Sequence, residues 1–170
     1  MISVLYIVTI LFSLKKIDFF QINGIKKNYI LLAFSIQVLA GFILYIIYTQ
    51  YYTERYTADI FKYYDDSLVL YNTFFINPLD FFKIIIGIDC DSKYYLINYF
   101  SEMNHWYTSY ENSLMDESRL LIRLNAILNI IGFKSYGFNL ISFIFIGFLG
   151  KILITKNLVK YYKRMNPIIL

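Results

Sequence analysis

Tyr29 to Tyr48 holds twenty residues without a charge, and an α-helix needs about twenty apolar residues to cross a bilayer. The run predicts a span over 29–49. It ends in "YTQYY", an aromatic belt of the kind found where a helix leaves the hydrocarbon. A second apolar run predicts a span over 136–155. A shorter one, 1–14, is followed by Lys15 and Lys16. It lacks the leading basic region and the small-residue cleavage site of a secretory signal, so it reads as a first span with its amino terminus outside. Residues 15–28 form an inner loop with Asn23-Gly24 as turn signal.

The stretch between the second and third runs carries shorter patterns. Asp59–Phe75 reads as a helix, broken at Asn77-Pro78 because the residue before a proline is pushed out of the α region. Pro78–Ile86, "PLDFFKIII", reads as a second helix with proline at its first turn. Residues 87–92 make a turn, and Lys93–Tyr110 is expected to be a third helical piece that includes His105 and Trp106.

In "RLLIRLNAILNIIG", starting at Arg119, the residues Leu120, Leu121, Leu124, Ile127, Leu128 and Ile131 share one helical face. Arg119, Arg123, Asn125 and Asn129 fall on the opposite side, an amphipathic arrangement. As a span it would force the carboxyl-terminal bases outside, so 119–133 is expected to be an interfacial helix. The expected fold is a single all-α integral membrane domain, 1–170, with three spans and short interfacial helices in one large extracytoplasmic loop, 50–118. The tail, 156–170, is cytoplasmic.

Composition agrees with this pattern. The chain is 58% hydrophobic and 16% charged, whereas soluble domains carry roughly 45–50% apolar and about 25% charged residues. The net charge of +4 hides a strong asymmetry. From Gln50 to Glu117 eleven acids face four bases, a net charge of −7, whereas lysines cluster at 15–27 and 151–163. Short basic loops stay in the cytoplasm, which puts the acidic loop outside. The bases follow spans instead of forming one stripe, so nucleic acid is not an expected partner. Cys90 is the only cysteine. That excludes an intrachain disulfide and a thiolate metal site, and no third group marks a Cys90–His105 catalytic pair.

The candidate chemistry lies in the acidic loop. Asp59 and Asp66 are two helical turns apart, about 10 Å by helix rise, with Lys62 and Tyr63 near the same face. At that distance the two carboxylates cannot chelate one ion, but Asp59 can serve as general base for an acceptor hydroxyl, with Tyr63 and Asp66 as substrate contacts beside it. The plain alternative is a solvated face with an Asp59–Lys62 or Lys62–Asp66 ion pair. Asp89 and Asp91 form a D-x-D spacing whose oxygens suit Mg²⁺ or Mn²⁺, although the spacing is common in acidic loops. Arg119 and Arg123, one turn apart, can together bind a phosphate, or they can snorkel to lipid headgroups. His105 and Trp106 read as packing residues.

The order of these parts carries a resemblance. A span ends in an aromatic cluster, an aspartate opens the first outer loop in "TADIFKYYDDSLVLY", interfacial helices follow, and "ESRLLIRLNAILNIIGFKSYGFNLISFIFIGFLG" closes the unit. This resembles the amino-terminal part of bacterial GT-C-type glycosyltransferases, the dolichyl-phosphate-mannose mannosyltransferase-like group. The resemblance implies a multi-pass protein of the bacterial inner membrane that transfers sugar from a polyprenyl-phosphate donor, in cell-surface polysaccharide or glycoconjugate synthesis. Asp59 would be the acidic catalytic residue of the first loop, and Arg119 and Arg123 would hold the lipid-linked donor. The chain departs from the group at Ile60, where a second acid is usual, and at Arg119–Arg123, where a Lys-Pro-Pro type segment is usual. Such enzymes have more spans than this chain, so the chain is expected to be inactive alone and to pair with a further carboxyl-terminal part. A polysaccharide polymerase-like or a noncatalytic membrane protein is the alternative reading.

Overall fold

A computed structural model describes residues 2–52, 55, 58–106 and 117–161, with the backbone alone at 59, 60 and 117. Among the described residues the regular structure is helical: α1 (Ile2–Lys16), α2 (Lys27–Tyr51), α3 (Asp59–Ile76), α4 (Pro78–Ile86), α5 (Lys93–Asn98), α6 (Glu117–Gly132) and α7 (Tyr136–Tyr161), with single 3-10 turns at Asp18–Phe20 and Phe100–Glu102. The chain divides into two compact units, Met1–Leu44 with Gly137–Leu170, and Tyr45–Tyr136.

In the first unit, α2 and α7 are 25 and 26 residues long and apolar enough to cross a membrane. At 1.5 Å rise per residue each exceeds the roughly 30 Å hydrocarbon thickness. α1, at 15 residues, is about a turn and a half short of the usual span. Its last turn carries Lys15 and Lys16, where cations offset the helix dipole. Leu14 and Phe34 form the centre of the buried cluster, with Phe148 and Ile152 from α7. Phe34 meets Phe145 edge-on at 6.1 Å. Close approach depends on small residues, as is usual between membrane helices. A Cβ on Gly41 would fall 2.5 Å from Ile144 Cδ1, and one on Gly137 would fall 2.7 Å from Ser3 Oγ. The outward faces are apolar: Leu32, Ile36, Leu39 and Phe42 on α2 are all more than half exposed.

The second unit is built on α3 against α4 and α6. α4 begins and ends where the sequence predicts. Asn77 caps it by accepting from Asp80 N, Pro78 opens the first turn, and Gly87, at φ 89°, closes it in the left-handed conformation that only glycine adopts without cost. The third helical piece is shorter than expected. It stops at Asn98, and a 3-10 turn and irregular chain follow. The backbone N–H groups of Asn104 and His105, which a continuing helix would give to its own carbonyls, instead donate to the carboxylate of Asp66 on α3 at 3.1 and 2.6 Å. Residues 107–110 of the expected helix lie outside the described residues.

α6 is amphipathic, and it packs with its polar side inward. Ile122, Asn125, Ala126 and Asn129 are buried, whereas Leu120 and Ile131 are about 60% exposed and Leu124 and Ile127 also face outward. Inside, Asn129 Nδ2 donates to Ser67 Oγ at 2.9 Å, and Ser67 Oγ donates to Tyr64 O. An apolar face turned outward and hydrogen-bonded amides turned inward suit a helix at a lipid boundary, where lipid covers the leucines as well as a protein core would.

Candidate functional site

Trp106 lies at the centre of the site in the second unit and has no exposed surface. Phe100 stacks on its ring at 4.2 Å. Both arginines of α6 converge on the same indole, because residues one turn apart share a helix face. The Arg119 and Arg123 guanidinium carbons stand 5.6 and 5.3 Å from the ring centroid, within cation–π range.

The two arginines have different partners. Arg119 donates to Trp106 O at 3.2 Å and pairs with Asp91 at 3.1 Å. Asp91 is 80% exposed, so solvent weakens this pair to about 0–1 kcal/mol. Arg123 reaches inward, where its Nη2 donates to Cys90 Sγ at 3.4 Å. The Gly87 turn lies beside it, with a Cβ position 3.6 Å from Nη2. Among the described residues no carboxylate pairs with Arg123. Its buried Nε has no hydrogen-bond partner among the described residues, and neither has Trp106 Nε1. Both groups are donors only, and an unmet buried donor costs about 1–3 kcal/mol. Any hydrogen-bond acceptor, neutral or charged, would satisfy them.

The other sequence candidates have other surroundings. Asp59 opens α3, but its side chain lies outside the described residues. Asp66 is buried, and its carboxylate caps the backbone at Asn104 and His105. His105 Nδ1 is 3.5 Å away, without a hydrogen bond. Tyr63 packs against the core of this unit. Asp65, the neighbour on another face, takes a two-pronged bond from Arg55 at 2.8 and 2.7 Å. Asp89 adopts φ 56° in the turn, and Asp91 pairs with Arg119. Among the described residues no three His, Cys, Asp or Glu side chains converge as metal ligands.

A second cluster was missed in the sequence. Asp80 is buried in α4 and accepts from Tyr94 OH at 2.8 Å, Tyr99 OH at 2.7 Å, Tyr95 OH at 3.4 Å and Asn77 Nδ2 at 2.8 Å. Burial alone would raise its pKa. The hydroxyls of Tyr99, Tyr94 and Tyr95, with the charge of Lys83, outweigh burial and hold the carboxyl below its ordinary value. Burial, and then the bond to Asp80, pushes Tyr99 well above the usual phenol range. The sequence signal was an acid in the first turn of a Pro-led helix followed by a tyrosine-rich one. No local pattern pairs the two.

No protein-family model, curated protein or solved structure matches the chain.

Proposed function

We propose that the chain belongs to a polytopic glycosyltransferase of the bacterial inner membrane, and that its second unit seats the phosphate of a polyprenyl-phosphate sugar donor at the outer face. The observation that supports this reading is the pair of unmet buried donors, Arg123 Nε and Trp106 Nε1, under two guanidinium groups on one indole. A phosphate supplies several acceptor oxygens to such donors, and arginine binds it through two parallel N–H groups. The phosphate would displace Asp91 from Arg119, a weak exposed pair, and would fill the unused capacity of Arg123. Asp59 would then deprotonate the acceptor hydroxyl. A divalent metal, Mg²⁺ or Mn²⁺, would need ligands beyond Asp89 and Asp91.

Trp106 is the only tryptophan, so its fluorescence reports this site alone. Titrating the detergent-solubilised chain with a polyprenyl phosphate should change the emission saturably, and the matching polyprenol should not. Arg123→Gln should weaken the response at least tenfold, since a charged hydrogen bond is worth about 1.5–3 kcal/mol. Equal responses to phosphate and alcohol would overturn the reading. The Asp91–Arg119 pair favours a second reading, a noncatalytic membrane protein in which Arg119 is already neutralised. That reading expects no response to either compound.

A further inference from the structure

We propose that the first unit carries a site for an anionic phospholipid at the basic end of α2 and α7. This inference is independent of the proposed function, since it concerns other residues.

Two cavities in this unit share Ile22 as a common wall. One, of about 690 Å³, is the more polar of the two and is lined by Gln21, Asn23, Lys156 and Lys160 with Ile22 and Val159. The other, of about 300 Å³, is mainly apolar, with Ile25, Ile30, Ala33, Phe148 and Ile152 in its wall. No carboxylate is found among the lining residues of either, and among the described residues neither lysine pairs with one. Lys156 donates to Phe19 O and sits over the Phe19 ring at 4.8 Å. Its ammonium is thus held in place, and among the described residues no carboxylate forms an ion pair with it.

A soluble anion would use only the polar cavity and an apolar molecule only the other. A phospholipid uses both, with its phosphodiester at Lys156 and Lys160 and the first part of an acyl chain along Ala33 and Ile152. Access is lateral, because the faces around the groove are themselves apolar: Leu32, Ile36, Leu153 and Ile154 are exposed. Basic pockets between membrane helices recognise anionic headgroups on the cytoplasmic side, and these lysines belong to the clusters that the positive-inside rule assigns there.

The test is native mass spectrometry of the full chain released from neutral detergent with dioleoyl phosphatidylglycerol or dioleoyl phosphatidylcholine. Two lysines, each worth about 1 kcal/mol near an anionic surface, predict a preference for phosphatidylglycerol of about thirtyfold. Lys156→Gln with Lys160→Gln should remove the preference, and Lys156→Arg with Lys160→Arg should keep it. Ala33→Phe, which fills the groove from an exposed position, should weaken retention of phosphatidylglycerol. Equal binding of the two lipids, or a preference unaffected by the Gln pair, would overturn the proposal. Displacement of the lipid by millimolar inorganic phosphate alone would overturn it too, by assigning a site for free phosphate. If the Gln pair does not fold, by helix content and melting, Ala33→Phe decides alone, and unchanged retention then rejects the site.

Discussion

The hydroxyl of Tyr99 lies 2.7 Å from Oδ2 of Asp80, nineteen residues earlier in the chain. That bond, with those from Tyr94 and Tyr95, fastens α5 and the turn after it to α4. The carboxylate is buried, so its charge depends on these donors instead of on water. Asp80→Asn should destabilise the fold by about 1.5–3 kcal/mol, the worth of a hydrogen bond to a charged group. Tyr94→Phe, which removes one of several donors at a half-exposed position, should cost about 1 kcal/mol. Thermal unfolding in detergent, followed by helix signal, measures both. A wild-type melting point in Asp80→Asn would refute the structural role.

The same carboxylate sets a pH dependence. Its folded pKa lies below the ordinary value, so its stabilisation is fully present above the unfolded value of about 3.9. It is lost as pH falls through the folded value. The stability advantage of wild type over Asp80→Asn should therefore be constant from pH 7 down to about pH 5 and should shrink below about pH 4. An advantage that grew on acidification would have the wrong sign.

The aspartates of α3 should separate by what each variant loses. In an active protein containing this chain, Asp59→Asn should reduce sugar transfer by about 10²–10⁴-fold, the usual worth of a general base, with insertion and folding intact. Asp65→Asn should do little, because the exposed Arg55–Asp65 pair contributes about 0–1 kcal/mol. Asp66→Asn should lower the yield of folded protein, since it leaves the Asn104 and His105 N–H groups facing a neutral amide. Transfer assays run beside melting curves distinguish these outcomes. Full activity in Asp59→Asn would remove it from the catalytic role.

Topology follows from the charge asymmetry. A reporter inserted near Ser92 should be extracytoplasmic, and one fused after Arg164, outside the described residues, should be cytoplasmic. Both on one side would rule out three spans with the acidic loop outside.

The outward leucines of α6 give a further expectation. A polarity-sensitive dye at Leu124→Cys, with Cys90→Ser to remove the native thiol, should emit at shorter wavelength in liposomes than the same dye at the solvent-facing Asn72→Cys. Equal emission would mean that lipid does not cover this face.

Some of this architecture is legible in the sequence and some is not, for identifiable reasons. The two long apolar runs give α2 and α7 directly, although α7 continues to Tyr161 because Lys156 and Lys160 are good helix formers. Pro78 and Gly87 bracket α4 by local backbone chemistry alone. α6 is readable as amphipathic, but periodicity does not say which side meets protein when the surroundings are apolar. The irregular chain at Asn104 and His105 depends on Asp66, 38 and 39 residues from the groups it captures, and no window on the sequence spans that distance. Arg119 and Arg123 are visible as neighbours. Their indole, thiol and carboxylate partners come from loops that only folding brings together.

The outward stripe on α6 makes it a suitable starting point for a water-soluble version of this unit. Leu120 and Ile131 are about 60% exposed and Leu124 and Ile127 partly so, and the amides that fix the pairing with α3 lie behind them. Glutamine and lysine at those four positions would change the solvent the helix prefers while leaving the packing against α3 intact. An ordinary amphipathic helix offers no such exchange, since its apolar side is the one that holds the fold together.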